Sequence, residues 1–156
     1  MRKRRILMAL AISLSPAGVF ADPPKWQRYV IPTTGASVDV PVGIFTDDAG
    51  SPESGTGRRF LSADGRADLT VQSVPNPGQD SPATFLAKKN PPADIIYKRV
   101  TADFFVVSSV RNGKIWYNRC NRADRSMNCV LINYPVAEKR QWDAVVTRIS
   151  NTLANR

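Results

Sequence analysis

The 156-residue sequence contains no histidine. That one absence removes Ser-His-Asp and Cys-His nucleophiles and every histidine-based metal site. Cysteine is nearly as scarce. Cys120 and Cys129 are the only two, their spacing is not C-x-x-C, and two thiolates cannot complete a tetrahedral zinc site. Gly55-Thr56-Gly57-Arg58 is too short to cradle a phosphate, and no G-x-x-x-x-G-K-S/T occurs. There is no internal repeat and no apolar run long enough to span a bilayer. A carboxylate pair is the one route left to hydrolysis, as in glycoside cleavage. Asp47, Asp48, Asp64, Asp68 and Asp103 qualify by residue type alone, and each lies near an expected turn or loop. A hydrolase is therefore the least favoured reading, and neither an enzyme nor a cofactor is expected.

What is present begins with Met1-Arg2-Lys3-Arg4-Arg5, an apolar run Ile6–Leu14, and Val19-Phe20-Ala21. A basic segment, a short apolar segment and a small residue before a cut describe a secretory signal peptide over residues 1–21. No cysteine follows the cut, so a lipid anchor is not indicated, and no membrane span is expected once the signal is removed. Four of the 22 basic residues lie in it, which leaves 18 against 13 acidic ones, a net charge of +5 rather than +9. That modest excess gives no reason to expect nucleic acid as a partner. Periplasmic or secreted location follows, with residues 22–34 as a lead-in and 35–156 as a single domain.

Residues 104–134 organise that domain. Phe104–Arg111, Lys114–Cys120 and Cys129–Tyr134 read as two hairpins sharing a strand. Asn112-Gly113 supplies the positive φ values of a two-residue turn. The turn fixes a register that pairs Arg111 with Lys114, Val110 with Ile115 and Ser109 with Trp116. The second hairpin then pairs Trp116 with Asn133, and Cys120 with Cys129 across an eight-residue polar loop. Export permits a disulfide there. Closing so short a loop is worth about 2.5–3 kcal/mol on the chain-entropy account. A redox pair or a metal site is the alternative.

Period-two alternation separates two faces. Phe104, Val106, Val110, Ile115, Tyr117, Val130, Ile132 and Tyr134 form one, with Arg119 at its end. Phe105, Val107, Ser109, Trp116, Asn118, Leu131, Asn133 and both cysteines form the other. Elsewhere, Lys25–Ile31, Ser37–Val40, Arg58–Ala63, Arg66–Val74 and Ile95–Val100 read as strands. Residues 46–57 read as a solvated connector in preference to a binding or calcium loop. Ser81-Pro82 starts a short helix, Pro82–Lys89. A last helix is expected from Pro135 to about Leu153, with Trp142, Val145, Val146, Ile149 and Leu153 on one stripe. Glu138 falls near the start of that stripe, where Arg119 is a candidate partner. Strands interrupted by two helices indicate an α+β fold with a mainly antiparallel sheet.

The segments Val38-Asp39-Val40-Pro41, Arg59–Gly65, Asp103–Tyr117 and Asn133-Tyr134-Pro135 plus the closing helix resemble the Mog1/PsbP-like fold over Gly35–Leu153. Similar segments occur in small exported proteobacterial proteins of unknown function. The resemblance implies an antiparallel sheet sandwiched between helices and a non-enzymatic binding or assembly role. It carries over no ligand residue.

Two surfaces are candidates for binding. Trp116, Asn118, Asn133 and Ser109 would form an aromatic platform beside amide and hydroxyl groups, suited to an uncharged polar ligand, a sugar edge or a peptide. The competing reading has the 82–89 helix covering that face. The second surface is the cystine-tethered loop with Arg122 and Arg125, joined by Arg119 and Arg111, which could engage an acidic envelope component. A solvated turn is the competing reading there. The expected function is thus an exported, non-enzymatic binding module of unknown partner, a periplasmic protein or an acidic envelope component being the candidates, or alternatively a polyanion-binding envelope protein.

Overall fold

A computed structural model describes residues 24–156, so the signal segment lies outside the described residues. The elements in chain order are β1 (Trp26–Val30), β2 (Ser37–Pro41), β3 (Phe45–Asp48), β4 (Thr56–Ser62), β5 (Asp68–Pro75), α1 (Pro82–Lys89), β6 (Asp94–Val100), β7 (Phe104–Arg111), β8 (Lys114–Arg122), β9 (Ser126–Pro135) and α2 (Lys139–Thr152). Strands β3 to β9 form one antiparallel seven-stranded sheet in the order β3-β4-β5-β9-β8-β7-β6, and β1 and β2 form a separate hairpin.

The register around Asn112-Gly113 is the one the turn dictates. Arg111 faces Lys114, Ser109 faces Trp116, Trp116 faces Asn133 and Cys120 faces Cys129. Both turn residues take positive φ, 50° and 71°. Alternation then sorts the side chains into two cores. Leu69, Val71, Ile115, Val130, Ile132 and Tyr134 meet Trp142, Val146 and Ile149 of α2, together with Val38 and Val40 of the β1–β2 hairpin. On the reverse face Phe105, Val107, Met127 and the cystine pack beneath Leu86 of α1. Helix α1 starts as its sequence requires: the Ser81 side chain accepts the Thr84 N–H and proline follows at N1.

Four features depart from the sequence reading. Phe45–Asp48 is a strand rather than the start of a connector. It is too short and too acidic to show alternation, and the burial of Phe45 against Trp142 holds it in place (ring centroids 5.7 Å apart). Residues 121–128 are not an open loop. The ladder continues through Asn121–Asn128 and Arg122–Met127, so Ala123–Arg125 alone turn the chain. The closing bond is Ala123 N–H to the Ser126 carbonyl, 2.9 Å. Pro135 ends β9 and caps a single 3-10 turn, Val136–Glu138, before α2 begins at Lys139. Lastly, the core takes in Ile31 and residues of β1, ahead of residue 35. Arg148 of α2 lies 4.2 Å over the Trp26 ring, and Arg28 and Arg148 both bind Asp39.

Glu138 also has a different partner from the one its position suggested. It pairs with Arg66 at 2.5 Å and accepts the Trp142 indole N–H at 3.2 Å. Arg119 is out of its reach, stacked 4.5 Å over the Phe104 ring and bonded to the Asn121 side chain. Arg66 also holds Asp64 in the β4–β5 turn. There the Ser62 hydroxyl, followed by the Arg66 backbone and guanidinium, keeps the Asp64 carboxyl well below the usual carboxylate range.

Candidate functional site

The two ends of the large sheet differ. At one, β3 has four residues, carries Asp47 and Asp48 and contains a register shift after Phe45, all features that blunt an edge. At the other, β6 has seven residues and every one is exposed. Ile95, Ile96, Tyr97 and Val100 are 36% to 51% exposed. Among the described residues β6 pairs with β7 alone. Every second residue of an antiparallel edge strand turns its N–H and C=O away from its neighbour, so β6 offers a row of free backbone groups beside apolar side chains.

The surroundings of β6 give that edge chemical character. Where α1 crosses the sheet, a groove of about 350 Å³ opens between the helix and the strand, lined by Ala83, Leu86, Ala87, Ile95 and Val100. Two alanines on the helix leave room that larger residues would fill. On the opposite face, Arg99 of β6 and Arg119 of β8 flank Phe104, 5.4 Å and 4.5 Å from its ring. Burial, with Arg99 adding to it, lowers the Arg119 pKa from its ordinary value, although the nearby Tyr117 opposes the shift. Among the described residues none of Lys98, Arg99 and Arg119 forms an ion pair with a carboxylate.

The register shift between Ile95 and Tyr97 makes Ile96 a bulged residue. Such a bulge, with two adjacent cations, discourages indiscriminate strand pairing. This surface is hard to see in the sequence for a physical reason. Ile95-Ile96-Tyr97 lacks polar alternation, and an unbroken apolar run in a strand reads as buried on both faces. The available signal was the conflict between that run and the Asn90-Pro91-Pro92 break before it, which places the strand after a crossing at the margin of the sheet.

Trp116, Asn118, Asn133 and Ser109 do lie together on one face, as neighbours across β7, β8 and β9. Ser109 and Asn118 are fully buried and keep no surface, while Trp116 and Asn133 are half-buried. The Asn133 amide donates to Asp68 at 2.9 Å. The Ser109 hydroxyl and the Asn118 amide nitrogen have no partner among the described residues.

The four arginines of the hairpin system do not converge. Arg111 sits at the Asn112-Gly113 end of β7. Arg119 lies on the α2 side of the sheet, and Arg122 donates to the Gln79 carbonyl near α1. Arg125 stands apart at the tip of the β8–β9 turn. Cys120 and Cys129 are joined by a disulfide within the ladder. Among the described residues no cluster of three or more histidine, cysteine or acidic side chains could hold a metal, and no helix is long and apolar enough to cross a membrane.

No protein-family model matches this sequence, and no curated protein matches it either. Among solved structures, the solution structure of cyanobacterial PsbP (CyanoP) from Synechocystis sp. PCC 6803 is similar to it, with a TM-score of 0.62 at 9% identity. The match covers 92% of this chain and 98% of that one. Similarity of shape at so remote an identity shows the fold alone: the chain has the PsbP-like α+β fold, the Mog1/PsbP-like form that its sequence resembles.

Proposed function

We propose that the protein is an exported, non-enzymatic docking module that binds an extended, acidic polypeptide segment by adding it as a strand along β6. The observation that carries this reading is the contrast between the two sheet edges, one short and acidic, the other long, exposed and apolar. Strand addition draws affinity from backbone hydrogen bonds and specificity from pockets that take alternate side chains. The groove beside α1 would take an apolar side chain of the incoming segment, and Lys98, Arg99 and Arg119 would meet its carboxylates. Export to the periplasm or beyond is supported by the character of residues 1–21 and by the disulfide. A non-enzymatic role is supported by the lack of histidine throughout the sequence.

The test is retention of envelope proteins on the immobilised oxidised domain at two salt concentrations, beside an Ile96→Lys variant. Ile96 is half exposed, so the substitution leaves the fold intact and places a bulky charge on the edge. The expected result is one partner held at near-equal stoichiometry by the natural protein, weakened by salt and lost from the variant. A partner retained equally by both would remove β6 from the interface. A concentration-dependent dimer of the protein alone, abolished by Ile96→Lys, would show that a second copy occupies the edge instead.

A further inference from the structure

On the α2 face, away from β6 and α1, the sheet ends in a row of polar residues. Thr56 faces Ser73, Ser73 faces Asn128, and Asn128 faces Asn121 across four adjacent strands. One step inward the same strands carry Val71 and Val130 of the main core. Over this row lies a cleft of about 520 Å³, walled by the β1–β2 turn, the β8–β9 tip and the chain after α2. That volume is in the range of small-molecule sites.

The hydrogen bonds within the wall determine what the cleft presents. Asn155 donates its amide to the Arg122 carbonyl at 2.7 Å, which obliges its amide oxygen to face Asn128. Asn128 answers by donating its own nitrogen to that oxygen at 2.8 Å. The Asn128 amide oxygen is thereby turned away, and among the described residues it has no partner. Directly across the strand pair the Ser73 hydroxyl has none among the described residues either. Both residues are 97% buried, with 3% exposure each, and both line the cleft. Buried polar groups are nearly always hydrogen-bonded, and two orphans side by side at a cleft are unusual. At the rim the Thr33 and Thr56 hydroxyls bond each other at 2.8 Å. Arg125, Arg156 and Asp124 also line the cleft, and among the described residues neither arginine forms an ion pair.

We propose that this cleft binds a small polyhydroxylated carboxylate, a sugar acid of the uronic-acid kind. Ligand hydroxyls donate to the Asn128 oxygen and to Asp124, and exchange hydrogen bonds with Ser73 and the threonines. The ligand carboxylate meets Arg125 and Arg156, where a planar guanidinium offers paired donors. A plain anion satisfies the arginines but leaves the two buried groups unpaired. A neutral sugar does the reverse. Only the combination of hydroxyls with one carboxylate uses the whole wall.

The test is a titration of the isotope-labelled, oxidised mature protein with D-glucuronate, followed by the NMR signals of the Asn128 and Asn155 side-chain amides. Glucose, acetate and a short uronate oligomer are run in parallel. Glucuronate is expected to shift the Asn128 amide saturably, and at lower concentration than glucose or acetate. Arg125→Ala, at an exposed turn, should weaken glucuronate about ten-fold, with glucose unaffected. Ser73→Ala, nearly isosteric, should weaken glucuronate and glucose together. Tighter binding of the oligomer would mark an envelope polysaccharide as the source, and equal binding a free sugar acid. The proposal is overturned by the lack of a saturable shift at Asn128. Equal responses to acetate and glucuronate, or affinities unchanged in both variants, would overturn it as well.

Discussion

Trp142 joins α2 to both an edge strand and the central strand of the sheet. Its ring stacks on Tyr134 of β9 at 5.3 Å, tilts against Phe45 of β3, and donates its indole N–H to Glu138. Replacement by alanine deletes the aromatic contacts and leaves a cavity, so Trp142→Ala should cost about 3–5 kcal/mol. Denaturant titration at unchanged slope would check it. A loss below 1 kcal/mol would mean that α2 repacks. At this scale the sequence was informative wherever one periodicity governed. Trp142, Val146, Ile149 and Leu153 are buried as the helical stripe required, with Val145 at its margin. It was uninformative for Glu138, whose partner Arg66 comes from a turn more than 70 positions earlier in the chain. No local pattern encodes such a pairing.

The two hairpins of β7, β8 and β9 show how far turn chemistry can carry a reading. Asn112-Gly113 admits one tight turn, that turn admits one register, and the register brings the cysteines face to face. The tip of the second hairpin was harder to read. Asn121, Arg122, Ser126 and Asn128 are polar and look like loop, yet they continue the ladder because Met127 is buried between them. The disulfide therefore braces paired strands. A Cys120→Ser, Cys129→Ser double variant should retain the sheet but lose about 2–3 kcal/mol. The comparison is of denaturation midpoints with and without reductant: the natural protein should drop to the variant's midpoint, and the variant should not move. Gly57 marks another limit of sequence reading. Its φ of 145° brings β4 so close to β5 that any Cβ would lie 2.0 Å from the Val71 carbonyl oxygen. The sequence shows only a glycine inside a presumed loop.

Across the whole molecule one sheet separates two unequal cores, and tyrosine sits largely in the greater one. Burial is the leading cause of raised pKa values at Tyr29, Tyr117 and Tyr134. Tyr134 is pushed up to about 12 with the help of Asp143. The Tyr117 hydroxyl is in addition bonded to Ser150 at 2.6 Å. A tyrosine in the unfolded chain ionises near pH 10. Between there and about 12 the unfolded state binds fewer protons than the folded one, so stability must fall as pH rises through that window. Stability measured along an alkaline pH series should decline from about pH 10. Tyr134→Phe should flatten the decline, and an identical slope in that variant would remove Tyr134 as its source. Fold class and the two sheet faces were legible at this scale because they follow from alternation. The order β3-β4-β5-β9-β8-β7-β6 was not, since β5 and β9 pair across more than fifty positions. The identity of the free edge depended on that order.

That order has a further consequence, for the time course by which the molecule is made. The middle strand of seven, β9, is the last to be synthesised. Without Ser126–Pro135 nothing joins β3-β4-β5 to β6-β7-β8, because β5 and β8 both pair with β9. Neither half has the neighbour that completes its apolar face, and α2, which covers that face, comes later still. Closure requires contacts between distant parts of the chain, which slows folding. The sheet thus cannot close until its latest strand in the chain, β9, is laid between two flanks that come before it.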